Sequence, residues 1–265
     1  MLVDRVKVVK NMFHKAEGIV IRTVDYGESN KIVTVFTREY GKIALMARGA
    51  KRPKSRLTAV TQLFTYGMMM FQKNAGLGTL TQGEIIQSFR EVRNDLFRAS
   101  YVSYVTDLTN KLTEDEKRNP YLFELLYQTI HYMNEGMDPD VLTRIFEVKM
   151  FTVAGIKPEL DQCVSCRSTD VPVGFSIKEA GFLCKRCIEK DPHAYKITAQ
   201  VAKLLRLFYH FDLQRLGTIS LKPETKATLK TIIHQYYDEY SGLHLKSRRF
   251  LDQLESMGFH DQSTD

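Results

Sequence analysis

The 265-residue sequence predicts an α+β protein: an N-terminal five-stranded β-barrel, then a mostly α-helical domain that carries a four-cysteine zinc module. Three observations point there. Short β-branched and aromatic runs cut by turn residues fill the first third, apolar residues recur at three- and four-residue steps after Phe89, and two C-x2-C pairs stand 17 residues apart.

The strands read EGIVIRT, KIVTVFT, IALMARGA, LFTYGMMMF and TLTQGEIIQS, divided by DYGESN, REYGK, the basic stretch RGAKRPKSR and the turn QKNAGLG. LTAVTQ supplies a helical turn between the third and fourth strands. Five short strands with a helix in that place suit the small barrel called the OB fold, with an SH3-like barrel as the rival from pattern alone. Hairpins around Gly27 and Gly41 are expected to place their tips beside one rim.

From Phe89 the period is helical. Phe97, Tyr101, Tyr104, Val105, Leu108 and Leu112 share one face, as do Leu122, Leu125, Leu126, Ile130 and Met133. Pro120, Pro139 and Pro223 sit where helices start, and Gly136 and Gly155 where they stop. Further helices are expected around Val201 to Phe211, Pro223 to Tyr240 and Leu251 to Met257. The expected division is residues 1–81, a nucleic-acid-binding barrel, and residues 82–265, a helical domain with the zinc module inserted at about 158–192. The QSTD tail and the first eleven residues read as disordered.

Composition narrows the class. With 43% apolar and 11% aromatic residues the chain can build a real core. No stretch approaches the roughly 18 apolar residues of a membrane span, and MLVDRVKVVKNMFHK is too charged for a signal peptide. A cytoplasmic location is expected, where four cysteines point to a metal rather than to disulfides. Cys163, Cys166, Cys184 and Cys187 have the spacing of a four-thiolate tetrahedral zinc site, one ion per chain, structural because no coordination position stays open. Free or redox-active cysteines are the alternative, which the spacing disfavours. Lys185 and Arg186 favour thiolate over thiol, VPVGFSI and AGFL supply a hairpin between the two knuckles, and His193 is the weaker ligand candidate. Six acids between Glu159 and Asp191 balance the module's cations, which favours scaffolding over DNA contact.

Charge is the functional signal. Of the net charge of +7, residues 1–81 contribute +9, with 14 Lys and Arg against 5 Asp and Glu, and the remainder −2. RGAKRPKSR alone sets five cations in nine positions with no acid. Such asymmetry suggests a polyanion-binding module joined to a nearly neutral body. A general binder of single strands needs cations along a groove and aromatic plates beside it. Arg48, Lys51, Arg52, Lys54 and Arg56 supply the first, together with Arg22, Lys31, Arg38 and Lys42 on or beside the hairpins. Tyr26 and Tyr40 occupy turns that offer base stacking. The sequence has no G-x-S-x-G, Walker or H-E-x-x-H motif, and nothing in it argues for an enzyme.

The order EGIVIRTVDYGESNKIVTVFTREYGKI, MARGAKRPKSRL, QLF, GLGTLTQGE, then CVSC, CKRC and YYDEYSGLHLKSRRFL resembles the bacterial recombination mediator RecO over nearly the whole chain. The resemblance implies an OB fold, a helical domain with a zinc module and binding to single- and double-stranded DNA. It also implies annealing of complementary strands and, with RecR, loading of RecA onto strands coated by single-strand binding protein, without catalysis. The family's helical part docks the acidic tail of single-strand binding protein, for which HLKSRRF, residues 244–250, is a candidate. The family motif usually begins close to the chain start, whereas eleven residues precede Met12, either a genuine extension or a misassigned start. Two rival functions differ in class: an RNA-binding factor, told apart by affinity for DNA against RNA of one sequence, and a metal-dependent nuclease, told apart by cleavage of labelled DNA with magnesium or manganese.

Overall fold

The computed structural model describes residues 12–257 apart from Leu216 and Thr218; the QSTD tail and the first eleven residues lie outside the described residues. The chain forms two compact units. One joins the residues up to Phe89 to Thr113–Glu124, and the other takes Arg90–Leu112 and the residues from Leu125 onward.

The first unit is a closed barrel of β1 (Phe13–Tyr26), β2 (Asn30–Thr37), β3 (Gly41–Ala47), β4 (Tyr66–Gln72) and β5 (Gly78–Gln87), in the order β1-β2-β3-β5-β4. All pairs are antiparallel except β3 with β5, which meet in parallel at Leu45–Gly78 and Met46–Thr79. That order is the OB barrel. β1 is long enough to serve two neighbours: Phe13–Ile19 pairs with β4, and after a bulge at Ile21 the strand runs on with β2 to Tyr26. Because side chains alternate, Val33, Val35, Ile43 and Leu45 fill the interior with Val20, Met69, Phe71 and Leu80, each worth about 1.5–3 kcal/mol of burial. Ile32, Thr34, Ala44 and Met46 therefore face outward.

Two expectations change. The tips around Gly27 and Gly41 lie at opposite ends of the barrel, because consecutive turns of an antiparallel meander alternate ends. The eight residues of β2 separate them, about 24 Å of strand. LTAVTQ forms a series of hydrogen-bonded turns instead of a helix. The hydroxyls of Thr58 and Thr61 donate to the Ala50 and Leu57 carbonyls, and such side-chain bonds compete with helix propagation. Gly41 is required twice over: its φ is +68°, and a Cβ there would lie 2.2 Å from the Lys117 carbonyl oxygen.

The second unit contains α1 (Arg90–Asn94), α2 (Leu96–Leu112), most of α3 (Pro120–Asn134), α4 (Pro139–Val153), α5 (Ala199–His210), α6 (Pro223–Tyr240) and α7 (Lys246–Ser256). Between α4 and α5 stands a small sheet of β6 (Gly174–Ser176), β7 (Gly181–Leu183) and β8 (Tyr195–Lys196), in the order β7-β6-β8. The start and stop signals act as read. Pro120, Pro139 and Pro223 open α3, α4 and α6, Asp138 caps α4 by accepting from the Asp140 and Val141 amides, and Gly136 and Gly155 carry φ of +87° and +72°. The pattern did not announce α1 or β8, which are five and two residues long.

α4 is buried along nearly its whole length, including Arg144 and Glu147, both fully inaccessible. Arg144 Nη1 lies 2.8 Å from Glu147 Oε2 and its Nε 3.1 Å from Asp140 Oδ1, while Tyr104 donates to Glu147 Oε1 at 2.5 Å and His234 Nε2 lies 3.1 Å from the same oxygen. Burial favours the neutral acid, yet Arg144 and then His234 hold the Glu147 carboxyl below its usual 4.5. A carboxylate depressed in the folded state stabilises fully above its unfolded value and loses that contribution as pH falls through the folded one. The helical unit is therefore expected to lose stability below about pH 4.5. Tyr104→Phe is expected to cost about 1.5–3 kcal/mol, the worth of a hydrogen bond to a buried charge, read by chemical denaturation at neutral pH. An unchanged midpoint would remove Tyr104 from the network.

Candidate nucleic-acid interface and metal centre

The basic loop leaves β3 at Ala47 and is fastened to the tip of the β1–β2 hairpin. Gly49, at φ +67°, donates its amide to Asn30 Oδ1 at 2.9 Å, and the Lys51 amide donates to the Ser29 carbonyl at 2.9 Å. Lys51 Nζ also pairs with Asp25 at 2.8 Å, and that hydrogen bond holds the Asp25 carboxyl below its usual range. Arg48, Arg52, Lys54 and Arg56 are exposed and form no ion pair with any described residue. Four uncompensated cations thus stand on a loop whose backbone is held in place.

The same end of the barrel carries Tyr26, 54% exposed, and Arg22, exposed on β1, with Lys31 paired opposite Asp25 in the ladder. On the outer face Val24 lies beside Ile32 and Ile32 beside Met46, an apolar row across three strands next to Arg22 and Thr34. Sequence reasoning passed over this row, although the alternation in KIVTVFT and KIALMA contains the signal.

Arg38, Lys42 and Tyr40 lie at the other end and are already engaged. Arg38 pairs with Glu17 at 2.9 Å and Glu124 at 3.1 Å and sits 4.5 Å over the Phe123 ring. Lys42 Nζ donates to the Thr113 carbonyl at 2.7 Å and faces Asp115 at 3.2 Å. Tyr40 meets His14 Nδ1 through its hydroxyl at 3.3 Å and packs edge-on against Phe71. These three brace the barrel against residues 113–124 and its own strands, and do not join the free cations.

The four cysteines form the second site. Their sulfurs all lie within 4.8 Å of one another, with the Cys163 and Cys166 turn facing the Cys184 and Cys187 turn, and His193 stands outside the cluster. Burial favours the thiol at Cys163, but the amides of Cys184, Cys166 and Ser165 point at its sulfur and bring it down to about 6. Cys166, despite the Ser168 amide, is pushed up to about 11 by the neighbouring sulfurs. Sulfurs so crowded cannot all ionise unless a cation neutralises them, which is the chemistry of a metal-binding donor set. Arg186 faces Asp170 at 3.5 Å, and the charge of the neighbouring Cys166 and Cys184 sulfurs raises its guanidinium pKa above the usual arginine value.

A family model described as recombination protein O N terminal matches residues 12–89, and one described as recombination protein O C terminal matches residues 93–249. The chain belongs to the RecO family. It is 58% identical over 246 residues to the DNA repair protein RecO of Bacillus subtilis, covering 93% of this chain and 96% of the relative. Against the RecO proteins of Bacillus cytotoxicus and Bacillus mycoides it is 57% and 56% identical over 244 residues, covering 92% of this chain and 98% of each relative. The N-terminal RecO match contains the hairpin and basic loop, and the C-terminal one all four cysteines. No described helix of this RecO-family chain is long and apolar enough to cross a membrane.

Proposed function

We propose that the chain is a non-catalytic recombination mediator that binds single- and double-stranded DNA at the β1–β2 hairpin and basic loop of its barrel. The observation that carries this is the set of cations at Arg48, Arg52, Lys54 and Arg56, unpaired among the described residues, on a loop pinned to the hairpin that carries Arg22 and Tyr26. Phosphate contacts from such a loop hold a strand without reading its sequence, as a repair factor acting wherever a strand is exposed requires. The Val24, Ile32 and Met46 row and the Tyr26 ring offer base-facing surface. Two strands repel each other, so a protein that neutralises the phosphates of both while leaving the bases free promotes annealing. Arg38, Lys42 and Tyr40 drop out of the proposed interface because their charges and ring are engaged within the barrel.

In this reading the helical unit serves the partners: RecR, single-strand binding protein and, through them, RecA at the nucleoid in the cytoplasm. HLKSRRF, as the candidate dock for the acidic tail, opens α7; its Arg248 pairs with Asp238, while Lys246, Arg249 and Phe250 are exposed. The cysteine cluster holds one structural zinc, since four thiolates suit that ion and leave no open position for catalysis.

The deciding experiment is annealing of complementary strands, free and coated by single-strand binding protein, with RNA of the same sequence as a parallel arm. Annealing is expected with neither ATP nor a redox cofactor, and dependence on a hydrolysable nucleotide would refute the reading. Preference for RNA would move the function to the RNA-binding alternative. Tyr26→Ala is expected to weaken oligonucleotide binding about fivefold or more, the low end of the 1–3 kcal/mol for one stacked base, and Tyr40→Ala to leave it within twofold. Equal effects of the two variants would return both ends of the barrel to the interface.

A further inference from the structure

The four cysteines are not equivalent. Cys163, Cys184 and Cys187 are 3%, 1% and 4% exposed, whereas Cys166 is exposed. It sits at the outer corner of a tight turn: the Arg167 amide donates back to the Cys163 carbonyl at 2.8 Å, Arg167 takes φ +62°, and its side chain is 73% exposed. Reagents in solution therefore meet one sulfur of the cluster first. Behind it, 3.7 Å away, stands the buried Cys184 sulfur, which needs to move by only about 1.7 Å to reach the 2.05 Å of a disulfide. Arg186, in the turn between Cys184 and Cys187, sets a guanidinium near the cluster and shares it with Asp170 at 3.5 Å. Exposure, a resolving sulfur within reach and an adjacent cation distinguish a reactive cysteine from an inert structural one.

We infer that Cys166 is an oxidation site at which a peroxide converts the cluster into a Cys166–Cys184 disulfide and releases its metal ion. The inference rests on the reading of the cluster as a zinc site. With a bound ion neutralising the four sulfurs, Cys166 is a thiolate; it attacks one oxygen of hydrogen peroxide, the O–O bond breaks, and hydroxide leaves and takes a proton from solvent to become water. Cys166 is then a sulfenic acid. The Cys184 thiolate attacks its sulfur, the S–S bond forms, the S–O bond breaks, and the second hydroxide leaves as water after taking another proton. Two thiolates have lost two electrons and the peroxide has gained them. Only Cys163 and Cys187 remain as thiolate ligands, too few to close a tetrahedron.

The consequence lies in the second unit. The module is braced to α5 by Arg206, whose Nε and Nη2 donate to the Leu160 and Asp161 carbonyls and whose guanidinium sits 5.2 Å over Phe182, and to α6 by Tyr240, which donates to the Ile177 and Lys178 carbonyls. Release of the ion frees the segment that these bonds hold, so peroxide acts on the helical unit and leaves the barrel's cations untouched.

The test begins with metal content by elemental analysis of the full-length protein, then adds hydrogen peroxide in small excess. Ion release is followed with a chromogenic chelator and disulfides by peptide mass spectrometry. One ion per chain is expected to leave in step with a Cys166–Cys184 disulfide, and reduction with added zinc is expected to restore the starting state. A first disulfide that omits Cys166, or that joins it to Cys163 or Cys187, overturns the inference, as does metal retained while a model thiol oxidises. Protein that carries no metal before peroxide is added overturns the zinc reading instead, and the disulfide map then still decides the order of attack. As a check independent of any variant, a limiting amount of N-ethylmaleimide should label Cys166 at least tenfold faster than the other three. Even labelling sinks the proposal. Cys166→Ser, where it retains the ion, should release it at least tenfold more slowly under peroxide, and equal rates count against Cys166.

Discussion

Neutralising Arg48, Lys51, Arg52, Lys54 and Arg56 to Gln flattens the salt dependence of single-strand binding by about two to three units of log affinity per log salt. Each phosphate contact on a single strand contributes about 0.7 to that slope. Lys51 is paired with Asp25, and the other four cations make no ion pair with described residues, so about four contacts are available. At 0.1 M salt the affinity falls by about two to three orders of magnitude. Preference among sequences stays as it was, because phosphates carry none. Arg38→Gln with Lys42→Gln is the control inside the same barrel. Their charges are compensated by Glu17, Glu124 and Asp115, so the slope moves by less than about 0.7 while stability falls. The measurement is anisotropy of a labelled oligonucleotide across a salt series, with circular dichroism to confirm folding. An unchanged slope in the folded loop variant would move the DNA site off the hairpin end. A control variant that flattens the slope as much as the loop variant would place both ends of the barrel on DNA. Lys226 and Lys230 of the helical unit pair with Asp138 and with Asp252 and Glu255, and their neutralisation is expected to act on stability rather than on the slope.

Cys163→Ala with Cys166→Ala is expected to abolish metal binding and to unfold the module around the cluster. Its apolar content is small: besides the cysteines, Pro158, Leu160, Pro172, Phe175, Phe182, Leu183 and Ile197 are its buried apolar side chains. A binding free energy on the order of 10 kcal/mol then stands between an ordered and a disordered module. Wild-type protein is expected to carry one zinc and the variant none. Limited proteolysis should cut the variant within residues 160–197 first, and the helical unit should melt at a lower temperature because α5 and α6 lose the carbonyls that Arg206 and Tyr240 bond. DNA affinity per folded molecule should stay within about twofold, since those contacts belong to a different unit. A well-folded variant that no longer binds DNA would make the module part of the interface, and a variant as stable as wild type would deny the ion its structural role.

The elements were legible because their signals are local. Alternation in KIVTVFT and KIALMA gives strands with one face in the core, Pro120, Pro139 and Pro223 open helices because a first-turn residue needs no N–H, and Gly136 and Gly155 close them by adopting positive φ. The four-sulfur cluster was legible for a related reason: each C-x2-C turn aims two sulfurs at one point, so spacing alone groups the four cysteines. The positions of the hairpin tips were not legible in this way, because β2 carries the chain from the Gly27 turn at one end of the barrel to the Gly41 turn at the other.

By itself, then, the sequence determined the strands, the helices, the four sulfurs and the end of the chain on which positive charge gathers, all of them properties of residues a few positions apart. Only the tertiary structure decided which cations are free. Arg38 and Arg48 are ten positions apart and look alike in the sequence, yet Arg38 meets Glu17 and Glu124, far from it along the chain, and Arg48 meets no acid among the described residues. Cys166 and Cys184 likewise share one motif and differ in exposure: Cys166 stands at the outer corner of its turn, and Cys184 lies in the small core that Leu183, Val164 and Ile188 build. Compensation of a charge and access to a sulfur depend on neighbours brought in by the fold, and periodicity or spacing carries no record of them.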